Sequence, residues 1–143
     1  MATKNQSRTS ARLTIGRLAK QAGVGIDTVR FYERRGLLPE PERTMAGYRV
    51  YDDDTAARIL FIRRAKRLGF TLDEIATLLR LQDHGGKKAE VRSLTQHKLD
   101  EINAKISDLK RIRSVLQDLS ASCSGKGNVD GCPIIEAISA MPT

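Results

Sequence analysis

The chain has 143 residues and carries 25 Lys and Arg against 17 Asp and Glu, a formal net charge of +8. One domain with an appendage suits that length, and 40% hydrophobic against 29% charged residues excludes compositional disorder. No run of about 18 apolar residues is present to span a membrane, the opening lacks the apolar stretch of a secretory signal, and 4% aromatic residues without Trp exclude a stacking platform for single strands.

A cytoplasmic location is therefore expected. The charge is uneven: residues 1–80 hold 16 Lys and Arg against 9 Asp and Glu, and the remainder 9 against 8. A like-signed half of a chain is the footprint of a polyanion binder, because Lys and Arg displace counterions condensed on phosphates.

In chain order, Met1–Arg12 is rich in Ser, Thr, Lys and Arg and reads as a flexible basic tail. Thr14 is an expected N-cap for a helix carrying Ile15, Leu18, Ala19 and Ala22, with Gly23 as its stop. Asp27 is expected to cap a second helix that ends at Arg35-Gly36. The intervening Ala22-Gly23-Val24-Gly25 is the tight turn of a helix-turn-helix, whose second helix enters the major groove. Leu37-Leu38-Pro39-Glu40-Pro41 cannot continue a helix. Met45–Tyr51 then alternates aromatic and basic residues as a short hairpin, a wing whose Tyr and Arg can touch the DNA backbone. At least one of Tyr48 and Tyr51 is expected to pack the hairpin onto the helices instead.

Asp52-Asp53-Asp54 supplies an N-cap for a helix over about Thr55–Leu68, ended by Gly69. Its run Arg63, Arg64, Lys66, Arg67 either faces phosphate or forms a solvated face. Thr71 with Glu74 makes a capping-box pattern that opens Leu72–Leu81. After a loop over residues 82–88, one long helix spans about Ala89–Ser120. Leu99, Ile102, Ile106, Leu109, Ile112, Leu116 and Leu119 alternate three and four apart along it. So narrow a seam on a helix of roughly 45 Å is most economically covered by a second copy in a two-fold dimer.

Cys123 and Cys132 follow that helix on a loop rich in Gly, Ser, Asn and Asp, with an apolar helix over Ile134–Ile138 beyond. Two thiolates on one turn-rich loop suit a soft metal ion. A thiol-disulfide switch comes second, and a pair of small buried hydrophobes third.

The ordered motifs Leu13-Thr14-Ile15-Gly16, Asp27–Glu33, Gly36-Leu37-Leu38, Gly47–Tyr51 and Leu68–Ile75, followed by the long helix and Cys-x8-Cys-Pro, resemble the MerR family of transcriptional activators. The resemblance implies a mainly α protein: a winged helix-turn-helix DNA-binding domain over 13–81, a hinge loop over 82–88 and a long antiparallel coiled-coil dimerisation helix over 89–120. A metal-binding loop with a short terminal helix would then occupy 121–143. By the same resemblance, the homodimer binds double-stranded promoter DNA with RNA polymerase, represses without effector, and activates by kinking and untwisting the DNA. Thr28 and Arg30 would face the groove, Tyr32 would lie near phosphate, Arg43, Tyr48 and Arg49 would be wing contacts, and Lys66 would touch the backbone. Cys123 and Cys132 would hold the metal.

Metal-sensing members use a third position at the start of the dimer helix of the other subunit, with Cys for divalent ions and Ser for Cu(I), Ag(I) and Au(I). Here one count places Lys88 there and another Ala89. Two thiolates around a monovalent ion leave a net negative charge that a Lys88 ammonium would offset, so Cu(I), Ag(I) or Au(I) is favoured. A divalent ion, Hg(II) or else Zn(II), Cd(II) or Pb(II), is the alternative, with His84 a candidate nitrogen ligand and His97 a surface or seam residue. A redox or small-molecule sensor on the same scaffold is the rival class. An enzyme has no support, because the sequence shows no nucleophile-base constellation, phosphate-cradling loop or HExxH motif.

Overall fold

Short polar residues placed one step ahead of apolar periodicity set where the helices begin. In the computed structural model, which describes residues 12–143, Thr14 accepts from the Arg17 N–H at 3.3 Å and opens α1, Ile15–Ala22. Asp52 accepts from the Thr55 N–H at 2.9 Å and opens α3, Asp53–Arg67. The Thr71–Glu74 capping box closes in both directions, at 2.9 and 3.2 Å, and opens α4, Leu72–His84. Each such cap satisfies N–H groups that the helix itself cannot reach. Except for Arg12, the proposed basic tail lies outside the described residues.

The helix-turn-helix differs from the sequence reading at one cap. Helix α2, Ile26–Arg34, is preceded by Gly25 as N-cap, with no side-chain hydrogen bond, so Asp27 is not the cap. The Thr28 and Val29 N–H groups bond the Gly25 carbonyl, which starts the helix two residues early and puts Asp27 in its first turn. Its carboxylate there still meets the positive end of the helix dipole. Gly23 sits at φ +68°, a left-handed stop that carries its N–H back to the carbonyls at the end of α1.

The wing is displaced from its expected span. Its strands are β1, Glu42–Arg43, and β2, Arg49–Val50, antiparallel with Glu42 opposite Val50 and Arg43 opposite Arg49. Met45 and Ala46 therefore form the apex and not the first strand. Gly47 at φ +86° lets its N–H close the turn on the Thr44 carbonyl at 2.8 Å. Leu13 pairs with Tyr51 through reciprocal backbone bonds of 2.7 and 2.8 Å, tying the wing to the residue that precedes α1.

Residues 12–94 form one compact unit and Thr95–Thr143 a second. In the first, α3 packs against both α1 and α4, and α1 against α2. Leu18, Val29, Leu37, Ile59, Ile62, Ile75 and Leu79 are fully enclosed between them. Helix α4 runs three residues beyond the expected Leu81. Arg58 grips Asp83 with two nitrogens, each at 2.8 Å, while its Nε donates to the Leu37 carbonyl at 2.6 Å. That fork secures the last turn of α4 and, as the larger effect on that group, holds the Asp83 carboxyl below its usual range.

Helix α5 covers Lys88–Ser122, one residue earlier and two later than expected, so Lys88 is its first residue. Along the second unit, Leu99, Ile102, Ile106, Leu109, Ile112 and Leu116 stay exposed, the unpaired seam that the sequence pattern describes. Helix α6, Pro133–Ser139, follows the cysteine loop, with Pro133 in its favoured first-turn place. Among the described residues, no helix is long and apolar enough to cross a membrane.

Candidate nucleic-acid interface and thiol pair

Helix α2 and the wing enclose an open concavity walled by arginine. Arg30 and Arg34 approach from the helix, Arg43 and Arg49 from the strands, with Tyr48 and Gly47 at the wing side. Arg34 escaped the sequence reading, although its i+4 spacing from Arg30 puts both on one helical face. Thr28 is half-buried on α2, and Lys66 is exposed on α3; neither lines the concavity. Tyr32 is only 3% exposed and belongs to the core, so a phosphate contact from it would fall to its hydroxyl alone. Tyr51 is buried as well, and Tyr48 is the wing tyrosine left in solvent.

Two acidic residues, Glu33 and Glu40, also line this basic wall, and Glu33 has a structural task there. Its carboxylate accepts from Arg49 at 3.0 Å and from the Tyr51 hydroxyl, which clamps the wing to the recognition helix. Burial, and then the hydrogen bond to Glu33, push the Tyr51 hydroxyl up to about 12. Tyrosine is neutral below its pKa, so this contribution is intact below the ordinary value near 10 and is lost as pH rises through about 12. Alkaline titration followed at 295 nm should show a late tyrosinate phase near pH 12. Tyr51→Phe should remove that phase; its persistence in Tyr51→Phe would contradict the assignment.

The basic run on α3 divides. Arg63 donates to the Ala22 carbonyl at 2.9 Å and so braces the helix-turn-helix turn. A Cβ added at Gly23 would lie 2.9 Å from the same guanidinium, a second reason for glycine there. Arg64, Lys66 and Arg67 remain exposed.

In the second unit, Cys123 and Cys132 are both free thiols and half-buried. The backbone N–H groups of Ile135 and then Ile134, in the first turn of α6, face the Cys132 sulfur without completing a capping bond and lower its thiol pKa. Cys123 is another of the groups that hold the Cys132 thiol below its usual range, which puts the two side chains near one another. Thiolate is the form that ligates, so the pair fits a soft ion. Among the described residues, no group of three or more His, Cys, Asp or Glu gathers to hold a metal, so His84 and His97 do not complete a set. His97 instead faces Glu101 at 3.1 Å. Lys88 opens α5, and Cys123 follows the last residue of that helix.

A recognition helix, a wing and an arginine wall between them define a winged helix-turn-helix DNA-binding protein. Residues 13–82 match the MerR HTH family of regulatory proteins, and residues 56–119 match the DNA-binding MerR model. The mercuric resistance operon regulatory protein of Serratia marcescens is 47% identical over 127 residues, 88% of this chain and 87% of that protein. The HTH-type transcriptional regulator CueR of Vibrio cholerae is 38% identical over 127 residues, 88% of this chain and 91% of that one. The transcription regulator PbrR691 of Ralstonia metallidurans CH34, solved in complex with lead(II), superposes with a TM-score of 0.80 at 38% identity, covering 88% of this chain and 98% of that one. The chain belongs to the MerR family of transcriptional regulators.

Proposed function

We propose that the protein is a homodimeric, metal-responsive activator that holds a promoter in a repressed form and, with a soft metal ion on Cys123 and Cys132, distorts it for RNA polymerase. The observation that carries this reading is the coexistence, in one family member, of the arginine-walled concavity and two free cysteines at the two ends of one short loop. Arg30, Arg43, Tyr48 and Arg49 would meet the DNA beside Thr28, with Lys66 and the Tyr32 hydroxyl adding backbone contacts. The exposed seam of α5 would be covered by a second copy in an antiparallel coiled coil.

Cys123 and Cys132 would supply both thiolates. The ion would cross-link the loop and so favour one of the dimer's two states. Two sulfur donors suit Cu(I), Ag(I), Au(I) or Hg(II) better than Zn(II), which takes four ligands in structural sites. Monovalent ions are our first reading, because Lys88 would offset the residual negative charge across the dimer. Hg(II) is the second, favoured by the 47% identity to a mercuric resistance regulator.

The test selects a duplex from a random pool with the full chain and measures affinity against salt. Arg43→Ala or Lys66→Ala, which removes one phosphate contact per subunit and so two per dimer, should flatten the log–log slope by about 1.8. Unchanged slopes in both variants would contradict the assigned contacts.

A further inference from the structure

The apex of the wing has a construction that phosphate binding alone does not require. Thr44 to Tyr48 carries no charge, and Met45 at its summit is fully exposed. The turn is braced four times. Gly47 N–H donates to the Thr44 carbonyl and Thr44 N–H to the Tyr48 carbonyl, both at 2.8 Å. Tyr48 N–H donates to the Thr44 hydroxyl at 3.1 Å, and Arg43 Nη1 to the Gly47 carbonyl at 2.9 Å. Immediately below this tip, Arg43 and Arg49 stand directly opposite one another. Like charges in that position destabilise a strand pair; Glu33 compensates Arg49, and an anion beside Arg43 would relieve what remains.

We infer that Met45 is an apolar wedge that enters the minor groove of bound DNA, with Arg43 and Arg49 set toward the phosphates on either rim. The inference rests on the DNA-binding reading above. Paired strands lie about 4.8 Å apart axis to axis, and once the width of the chains and their side chains is added the hairpin is broader than the minor groove, about 6 Å wide, so the tip side chain enters while the shoulders remain outside. Methionine is unbranched and adaptable, and it is among the side chains that other minor-groove proteins insert at base steps to kink a duplex. A braced turn delivers that side chain without first ordering a loop. A wedge at this position would make the wing a sensor of groove width and deformability, which is where a regulator that distorts its promoter gains from selectivity.

The experiment starts from the duplex selected by the full chain, with the wing-protected minor groove mapped by hydroxyl-radical cleavage. There, 2,6-diaminopurine·T replaces A·T, which adds an amino group in the minor groove and leaves the major groove unchanged. The chain should lose affinity for the modified duplex by about tenfold. Met45→Ala should bind the unmodified duplex about tenfold more weakly, should be indifferent to the modification, and should keep the salt slope. Met45→Leu should behave as the unaltered chain. An equal diaminopurine penalty with Met45 and with Ala at this position, or no penalty with either, overturns the wedge while the DNA-binding reading stands. Failure of the full chain to select any duplex overturns both.

Discussion

Replacing Cys123 or Cys132 by Ser is expected to abolish the metal response while leaving folding and DNA binding intact. In the proposed site each cysteine supplies one of the two thiolates that this chain brings to the ion. A hydroxyl is a hard, undissociated substitute for a thiolate and does not suit a soft ion. Loss of a group that merely hydrogen-bonds a ligand already costs about 10–100-fold in metal affinity, so loss of one of two ligands should exceed about 100-fold. Both cysteines are only half-buried and neither belongs to the core, so the thermal midpoint should stay put. Metal titration in a competing chelator checks the first expectation, and duplex affinity without metal the second. Retention of tight metal binding by Cys132→Ser would remove the thiol pair from the account.

Ile59→Ala is the second large effect, and it acts on stability. Ile59 is fully enclosed in α3, the helix that packs against both α1 and α4. A hole there is bordered from several sides and collapses poorly, so a cost of about 2–5 kcal/mol is expected. Against a typical total of about 5–15 kcal/mol, that shift should lower the melting midpoint by roughly 10–30 °C. Scans at one fixed chain concentration are required, because the proposed dimerisation would contribute by mass action. Arg64→Ala, on an exposed part of the same helix, is the control and should stay within about 0.5 kcal/mol. Equal midpoints for the two variants would show that the helical core is not what limits unfolding.

Much of the fold was legible because caps and periodicity are local. Thr14, Asp52 and the Thr71–Glu74 box act within one helical turn, and the sequence places them next to the apolar positions they serve. Arg58 shows what local reading misses: its partner Asp83 is 25 residues away, and only their meeting explains why α4 continues to His84. The Asp27 cap failed because glycine at residue 25 already provided an extended entry. Wing register failed because Met45 and Ala46 look like strand residues until Gly47 takes a positive φ.

The interface divides along the same line. Arg30, Arg43, Tyr48 and Arg49 were readable as a set, and Arg34 would have been from its spacing. Glu33 was not, because an acidic residue in a basic groove makes sense only once Arg49 and Tyr51 are seen on it. Tyr32 was only half legible for the reverse reason: a tyrosine on a recognition helix offers the core as much apolar surface as it offers DNA a hydroxyl, and its ring lies in the core.

In the proposed mechanism, metal on the thiol pair changes what the bound dimer does to DNA. Transcription from the selected promoter duplex, reconstituted with RNA polymerase and reduced protein, tests it directly across Cu(I), Ag(I), Hg(II) and Zn(II). Activation by at least one of the soft ions is predicted, with the monovalent ions strongest, together with its loss in the Cys123→Ser, Cys132→Ser double variant at undiminished promoter occupancy. Equal activation by that double variant, or activation by oxidant with silence toward every metal, would contradict it.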